Sequence, residues 1–417
     1  MDAGLLDVIT CYYNPIRFET RLKRCLDHLE HLLDSGVKPT VVECQTGDRY
    51  FELPGKISQH VRHVPVRSKT LLWNKENLIR IGMQRLDPDW KYVAWTDADI
   101  KFRKPDWGFQ TVHALQIYDI VQPWSDAYDL GPQDQHLAAY KSFMHQYYHG
   151  HSVVYGIDPQ KTNFQKRVMG IVPSSLHPAQ KLTTPGLIVG DRGLTAHVDL
   201  SKKHHPNDPH GKGHDKHKKH KKKDGSDCDC DCDCCCCCDQ CCPPPPYYGF
   251  APSAEMAAKM PWWKRDGGAH EYPHSGYAWA ATRHAIESLG GLFELAAMGA
   301  GDYHMALSLI GYADNSIPTK THQSYRKHLK EWETRALRHI NLNLGYVQGT
   351  IEHYWHGRKA DRRYIDRWQI CLEHDFDPDE DIMRNTNGVL ELTCRKPKLR
   401  HDLDMYLKQR NEDSNQL

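Results

Sequence analysis

Apolar positions in the first hundred residues switch repeatedly between two spacings. Leu5-Leu6-Asp7-Val8-Ile9-Thr10-Cys11-Tyr12 is an unbroken run rich in β-branched and aromatic side chains, the pattern of a strand, which Tyr13-Asn14-Pro15 ends. From Phe18 to Leu33 the apolar residues (Phe18, Leu22, Cys25, Leu26, Leu29, Leu32, Leu33) fall on one helical stripe, closed by Ser35-Gly36. Thr40 to Cys44 and His60 to Val66 read as further strands, Leu71 to Leu86 as a second amphipathic helix, and Tyr92 to Asp97 as the next strand. Strands alternating with helices predict an α/β fold with a doubly wound, mostly parallel sheet. In such sheets ligands bind beyond the carboxyl ends of the strands.

Farther along, Ile117 to Pro123 is another strand candidate, followed by the polar loop Trp124 to Asp129. Gln135 to Tyr148 reads as a helix. After a central stretch without clear period, His274 to Ala280 leads as a short strand or turn into a helix at Thr282 to Leu289, stopped by Gly290-Gly291. Helices are also expected at Tyr303 to Ile310, Tyr325 to Ala336 and Ala360 to Leu372, and the chain past Arg410 reads as a polar tail.

Between Ser201 and Pro246 the composition changes abruptly. A Lys/His run passes into alternating Cys and Asp, five consecutive cysteines and Pro243 to Pro246, with almost no apolar side chain to offset chain entropy, so disorder or an exposed loop is expected. Adjacent cysteines cannot all reach one tetrahedral ion, and no clean Cys-x-x-Cys pair of a zinc module forms. Ten of the fifteen cysteines lie in this tract and the other five are scattered singly. That is no secreted disulfide framework, and a cytoplasmic location is expected. The net charge of +1 gives no reason to expect nucleic acid, and no stretch approaches the ~20 apolar residues of a membrane span.

Candidate chemistry begins where the strand Tyr92 to Thr96 delivers Asp97 and Asp99. Side chains two apart leave a strand on the same side, so the two carboxylates can converge on a divalent cation, Mn²⁺ or Mg²⁺, that holds phosphate oxygens. Asp-x-Asp also occurs at Asp87/Asp89, Asp377/Asp379 and Asp402/Asp404; only Asp97/Asp99 follows a hydrophobic strand. His353 and His356, beside Trp355 and Gly357 and ahead of Arg358-Lys359, form a second candidate metal or phosphate contact. Asp302, after Gly299-Ala300-Gly301, suits a general base and equally a helix N-cap.

The strand and helix order, the Trp73-Asn74-Lys75-Glu76-Asn77-Leu78-Ile79 helix start, Thr96-Asp97-Ala98-Asp99, the Gly299 to His304 loop and His353-x-x-His356 together resemble the GT-A class of nucleotide-sugar glycosyltransferases. Within it the spacing is similar to β-1,4-galactosyltransferases and polypeptide N-acetylgalactosaminyltransferases, over roughly residues 6–130 and 270–372. The resemblance implies a Rossmann-like doubly wound sheet with helices on both faces. Residues 1–200 would form the nucleotide-sugar half, 201–246 an insertion, 247–400 the acceptor-binding and metal-completing half, and 401–417 a tail. It implies Mn²⁺ on Asp99, His356 and His353, with Asp97 near the ribose or the metal, and Asn74 and Lys75 approaching the nucleotide. Asp302 would be the base toward an acceptor hydroxyl; family members usually carry a second acid beside it, where this chain has Gly301 and Tyr303. The implied donor is a nucleoside-diphosphate hexose or N-acetylhexosamine, UDP-linked above all, and the acceptor a glycan, lipid-linked or protein hydroxyl. Trp262, Trp263 and Trp279 could stack on sugar faces or fill the core.

Two other classes stay open. A metal-dependent phosphohydrolase would use the same acids but consume nucleotide-sugar equally fast without acceptor. A metal-binding interaction protein would act through the Cys/His tract and lose its function when that tract is deleted.

Overall fold

Strand β1 (Leu6–Tyr13) has almost no exposed side chain, because sheet neighbours flank it and helices cover both its faces. It lies in a parallel array with β2 (Lys38–Thr46), β3 (Arg62–Ser68) and β4 (Tyr92–Thr96), in the order β4-β1-β2-β3. Helix α1 (Glu19–Asp34) packs Cys25 and Leu29 against Val41 on one face, and α2 (Lys75–Met83) packs Leu78, Ile79 and Ile81 on the other, among Ile9 and Val42. The computed structural model describes residues 5–151, 153–154, 273–359, 361–363 and 367–415. The tract at 201–246, Trp262 and Trp263 lie outside them.

Beyond β4 come β5 (Ile100–Phe102), α3 (Trp107–Ala114), β6 (Ile120–Gln122), β7 (Asp126–Leu130), β8 (His136–Ser142) and α4 (Phe143–Tyr148). After the central gap follow β9 (Pro273–His274), β10 (Ala278–Thr282), α5 (Arg283–Leu289), α6 (Gly301–Leu309), α7 (Gln323–Arg335), β11 (Leu344–Tyr346), β12 (Thr350–His353) and α8 (Arg367–Glu373). The chain closes with a hairpin, β13 (Ile382–Arg384) and β14 (Leu390–Leu392), and the helix α9 (Pro397–Lys408). The main sheet runs β11-β6-β10-β4-β1-β2-β3; only β10 is antiparallel to its neighbours, so the α/β fold with a mostly parallel sheet and helices on both faces is present. A second, mixed sheet, β5-β12-β7-β8-β9, stands beyond the end of β4. Among the described residues no helix is long and apolar enough to cross a membrane.

Four segments differ from expectation. The polar loop expected at Trp124 to Asp129 runs into β7 from Asp126 onward, because pairing with β8 and β12 satisfies its backbone on both sides. The helix predicted over Gln135 to Tyr148 is instead β8 followed by the one-and-a-half turns of α4, with Ser142 capping the latter by accepting from His145 N at 3.0 Å. Helix propensities of such residues differ by only a few tenths of a kcal/mol each, and antiparallel pairing with β7 outweighs them. Of the helix expected at Ala360 to Leu372, the described part begins at Arg367. The last residues are no free polar tail: Arg410 and Glu412 are buried, Arg21 Nε donates to Glu412 Oε2 at 2.8 Å, and Asp413 accepts from the Thr20 and Glu19 amides at the start of α1.

Candidate active site

The end of β4 and the second sheet build the site together. The β ladder stops at Thr96, so Asp97 follows the strand and Asp99 lies in the turn after it, where strand spacing no longer sets their directions. Asp97 donates its amide to Tyr277 O at 2.7 Å and its carboxylate pairs with Lys75 Nζ. Asp99 has other partners. Strand β12 runs antiparallel to β5 with His353 opposite Ile100, and Tyr354 N donates to Asp99 O at 2.8 Å, so the register itself sets the histidines beside Asp99. Asp99 Oδ1 is 3.7 Å from His353 Nε2 and Oδ2 is 3.2 Å from His356 Nδ1; one ligand atom of each of the three residues lies within 4.8 Å of the others.

These three fit a divalent cation. Asp99 Oδ1 is buried without a hydrogen-bond partner. His353 Nδ1 is 2.7 Å from Asp129 Oδ1, a contact that holds a ring hydrogen on Nδ1 and would free Nε2, on the Asp99 side, for a cation. Burial pushes the His356 imidazole well below its usual pKa, and Arg362 and His353 push it further, so it is neutral as a ligand must be. Arg362 Nη1 lies 2.5 Å from His356 Nε2. An arginine only donates, so this contact puts the ring hydrogen on Nδ1. Coordination through Nδ1 therefore requires that proton to leave and Arg362 to withdraw.

Asp129, on β7 and opposite His353 in the ladder with β12, anchors this corner; from the sequence it is expected only as the end of a polar loop with no role. Its Oδ1 also accepts from Tyr277 Oη at 2.8 Å, and its Oδ2 pairs with Lys359 Nζ at 2.5 Å. Burial alone would raise its pKa, but His353 and Lys359 outweigh that and hold it well below the usual carboxylate range. Tyr277 carries a left-handed backbone (φ 73°), costly for an aromatic residue, while its ring stacks on His274 at 4.0 Å. Only this structural context could have singled out either residue. Asp129→Asn keeps the shape but removes the anionic acceptor behind His353, and Mn²⁺ affinity measured by titration calorimetry is expected to fall about 10- to 100-fold.

The turn after His356 needs glycine. Gly357 has φ 86°, and a Cβ there would fall 2.5 Å from Asn411 O, because residues 410–414 pack directly under it. Trp355 Nε1 donates to Ser414 O at 2.6 Å, and Arg410 lies 4.6 Å over the Trp73 ring.

Asp302 lies in the first turn of α6 but is not its N-cap; Ala300 is, with φ 72° next to Gly299 at φ 79°, which is why small residues precede the acid. Burial raises the Asp302 carboxyl, Lys75 lowers it and Asp97 raises it again. Lys75 is itself held above its ordinary value: burial opposes its charge, but Asp97, Asp302 and Glu76 outweigh burial. Asn74 is buried and donates to Leu390 O at 2.9 Å, holding the β13–β14 hairpin rather than facing open space. Trp279 is 3% exposed within β10, its Nε1 donating to Ser275 O at 2.6 Å; it is a core residue and no stacking surface, because strand pairing on both sides encloses it.

Glu76, beside Lys75, is 3% exposed, and burial lifts its pKa from an ordinary 4.5 to about 7, Lys75 lowering it and Asp302 and Asp97 raising it. At roughly 1.4 kcal/mol per tenfold in proton affinity, ionising it inside the fold costs about 3 kcal/mol. The native state keeps a proton that the unfolded chain releases, so this contribution is complete below pH 4.5 and is lost as pH rises through about 7. Urea unfolding should therefore find Glu76→Gln more stable relative to the parent at pH 8 than at pH 4.5.

No protein-family model matches the chain, and no curated protein matches it. Among solved structures it is similar to the catalytic domain of Drosophila beta1,4-galactosyltransferase 7 in complex with xylobiose, at 10% identity, covering 94% of this chain and 96% of that one, with a TM-score of 0.30. It is also similar to HddC from Yersinia pseudotuberculosis, at 8% identity and a TM-score of 0.20, over 30% of this chain and 58% of that one. At such scores neither likeness adds to what the residues themselves support, and the chain spans little more than half the length of the second.

Proposed function

We propose that the protein is a metal-dependent glycosyltransferase that moves a hexose or N-acetylhexosamine from a nucleoside-diphosphate sugar to an acceptor hydroxyl, with inversion. The observation that carries this is the meeting of Asp99 with His353 and His356, some 250 positions later, around a space fit for one cation. Two imidazoles with one carboxylate favour Mn²⁺ over Mg²⁺, which prefers oxygen and water. Bound there, the ion would neutralise charge on a departing diphosphate. The chain's own part is positional and acid–base. Arg362 against His356, Lys359 paired with Asp129 and Lys75 paired with Asp97 are the cations that would draw the phosphate oxygens of a bound donor. Asp302, beyond Lys75, takes the proton of the attacking hydroxyl as its oxygen bonds to the anomeric carbon and the diphosphate leaves with the electron pair.

A thermal-shift screen of UDP-, GDP- and other nucleotide-sugars with and without Mn²⁺ tests the reading. A ligand bound only by the folded state raises its stability by about 2.7 kcal/mol at a hundredfold excess over Kd. At least one nucleotide-sugar should raise the midpoint only with Mn²⁺ present; no metal-dependent shift with any of them would refute the proposal.

A further inference from the structure

Three carboxyls crowd the far side of Lys75. One is Asp97, which the lysine pairs; the second is Asp302; the third, Glu76, comes from the first turn of α2 and lies against the start of α6. Its place is unusually specific. A Cβ built on Gly301 would fall 2.5 Å from Glu76 Oε1 and 2.8 Å from Oε2, so the Glu76 carboxyl fills the space that a side chain at position 301 would take. On the other flank, a Cβ on Gly276 would fall 2.8 Å from Asp302 Oδ2. Two glycines thus leave room for two acids to stand next to one another, one donated by each helix.

Packing alone does not call for this arrangement. A buried carboxyl with fewer cations than acids around it is costly, and an amide of the same shape would fill the same volume. Lys75, Asp302 and Asp97 are the charged groups nearest Glu76, and Cys11 and Tyr325 are close enough to feel its charge. Burial raises both carboxyls, that of Glu76 to about 7, and two acids held side by side with a single lysine between them resist ionising together, so one can donate a hydrogen bond while the other accepts a proton.

We propose that Glu76 is the second acid of the acceptor site: its carboxyl hydrogen-bonds the saccharide hydroxyl next to the one that Asp302 deprotonates, and so selects an acceptor with a vicinal diol. This rests on the glycosyltransferase reading. The neighbouring hydroxyl keeps its proton, Glu76 keeps its own, and the only proton that moves goes from the attacking hydroxyl to Asp302 while the anomeric bond to the diphosphate breaks.

Two measurements on the full chain test it. In protein labelled with ¹³C at the glutamate carboxyls, one resonance should titrate near neutrality, vanish in Glu76→Gln and move to lower pH in Asp302→Asn; a Glu76 midpoint indifferent to Asp302→Asn would overturn the pairing. The second measurement uses Mn²⁺, UDP-hexoses and a panel of methyl glycosides. Glu76→Gln should raise the acceptor KM at least about tenfold while leaving Mn²⁺–UDP affinity and donor hydrolysis within about twofold. The double change Glu76→Ala with Gly301→Asp, which returns a carboxyl to the same space, should recover transfer that Glu76→Ala loses. Unimpaired transfer in Glu76→Ala, or equal loss of donor binding and transfer, overturns the role. If the carboxyls titrate as a pair but no variant, parent included, binds a nucleotide-sugar, the pair stands as a structural fact, and both the glycosyltransferase reading and the acceptor role built on it are refuted.

Discussion

Asp99→Ala and His356→Ala should each abolish Mn²⁺-dependent binding of a nucleoside-diphosphate sugar. Each removes one of three protein ligand atoms that lie within 4.8 Å of one another, and with it a direct bond to the ion. The expected loss in Mn²⁺ affinity exceeds about 100-fold, the upper end of what removing an outer partner such as Asp129 costs. The changes leave the core intact, since Asp99 sits in a turn and His356 on the loop after β12. Calorimetric titration with Mn²⁺ alone, and then with UDP, separates the two steps. Retention of metal-dependent nucleotide binding in either variant would remove the site from the account.

Asp302→Asn should have the opposite profile. The amide keeps the size of the side chain and can still accept from Tyr303 N, the bond that orients the carboxyl at 2.8 Å, but it cannot take a proton. A general base contributes about 10²- to 10⁴-fold, so transfer should fall by that factor while Mn²⁺ and nucleotide-sugar affinities stay as they were. Steady-state transfer measured beside equilibrium donor binding reads both quantities. A parallel loss of both would mean that Asp302 serves the fold or the donor and is not the base.

The elements that form from local pattern were legible in the sequence. The strand Leu6–Tyr13, the stripe from Phe18 to Leu33 and the charged helix from Tyr325 all appear within a few residues of their expected ends, because apolar spacing and Gly stops decide them locally. Strand β8 and the second sheet were not legible. Their short strands exist because β7 and β12 pair side by side, a contact between residues more than 200 positions apart that leaves no local period. The candidate site divides the same way. Asp99, His353 and His356 stood out as chemically conspicuous residues at the tip of a strand and in a close pair. Asp129, Tyr277 and Glu76 did not, since each draws its significance from a neighbour that the fold alone supplies: His353 for Asp129, a strained turn for Tyr277, and the vacancy at Gly301 for Glu76. Asp97 marks the limit of the strand rule itself: the ladder ends at Thr96, before either acid, so strand alternation does not govern the pair.

Electron paramagnetic resonance of Mn²⁺ bound to the full chain with UDP tests the central claim most directly. Pulsed spectra should show nitrogen couplings from two imidazoles, one lost in His353→Ala and the other in His356→Ala, together with phosphorus coupling from the nucleotide on the same ion. An ion that couples to phosphorus but to no histidine nitrogen would contradict the account.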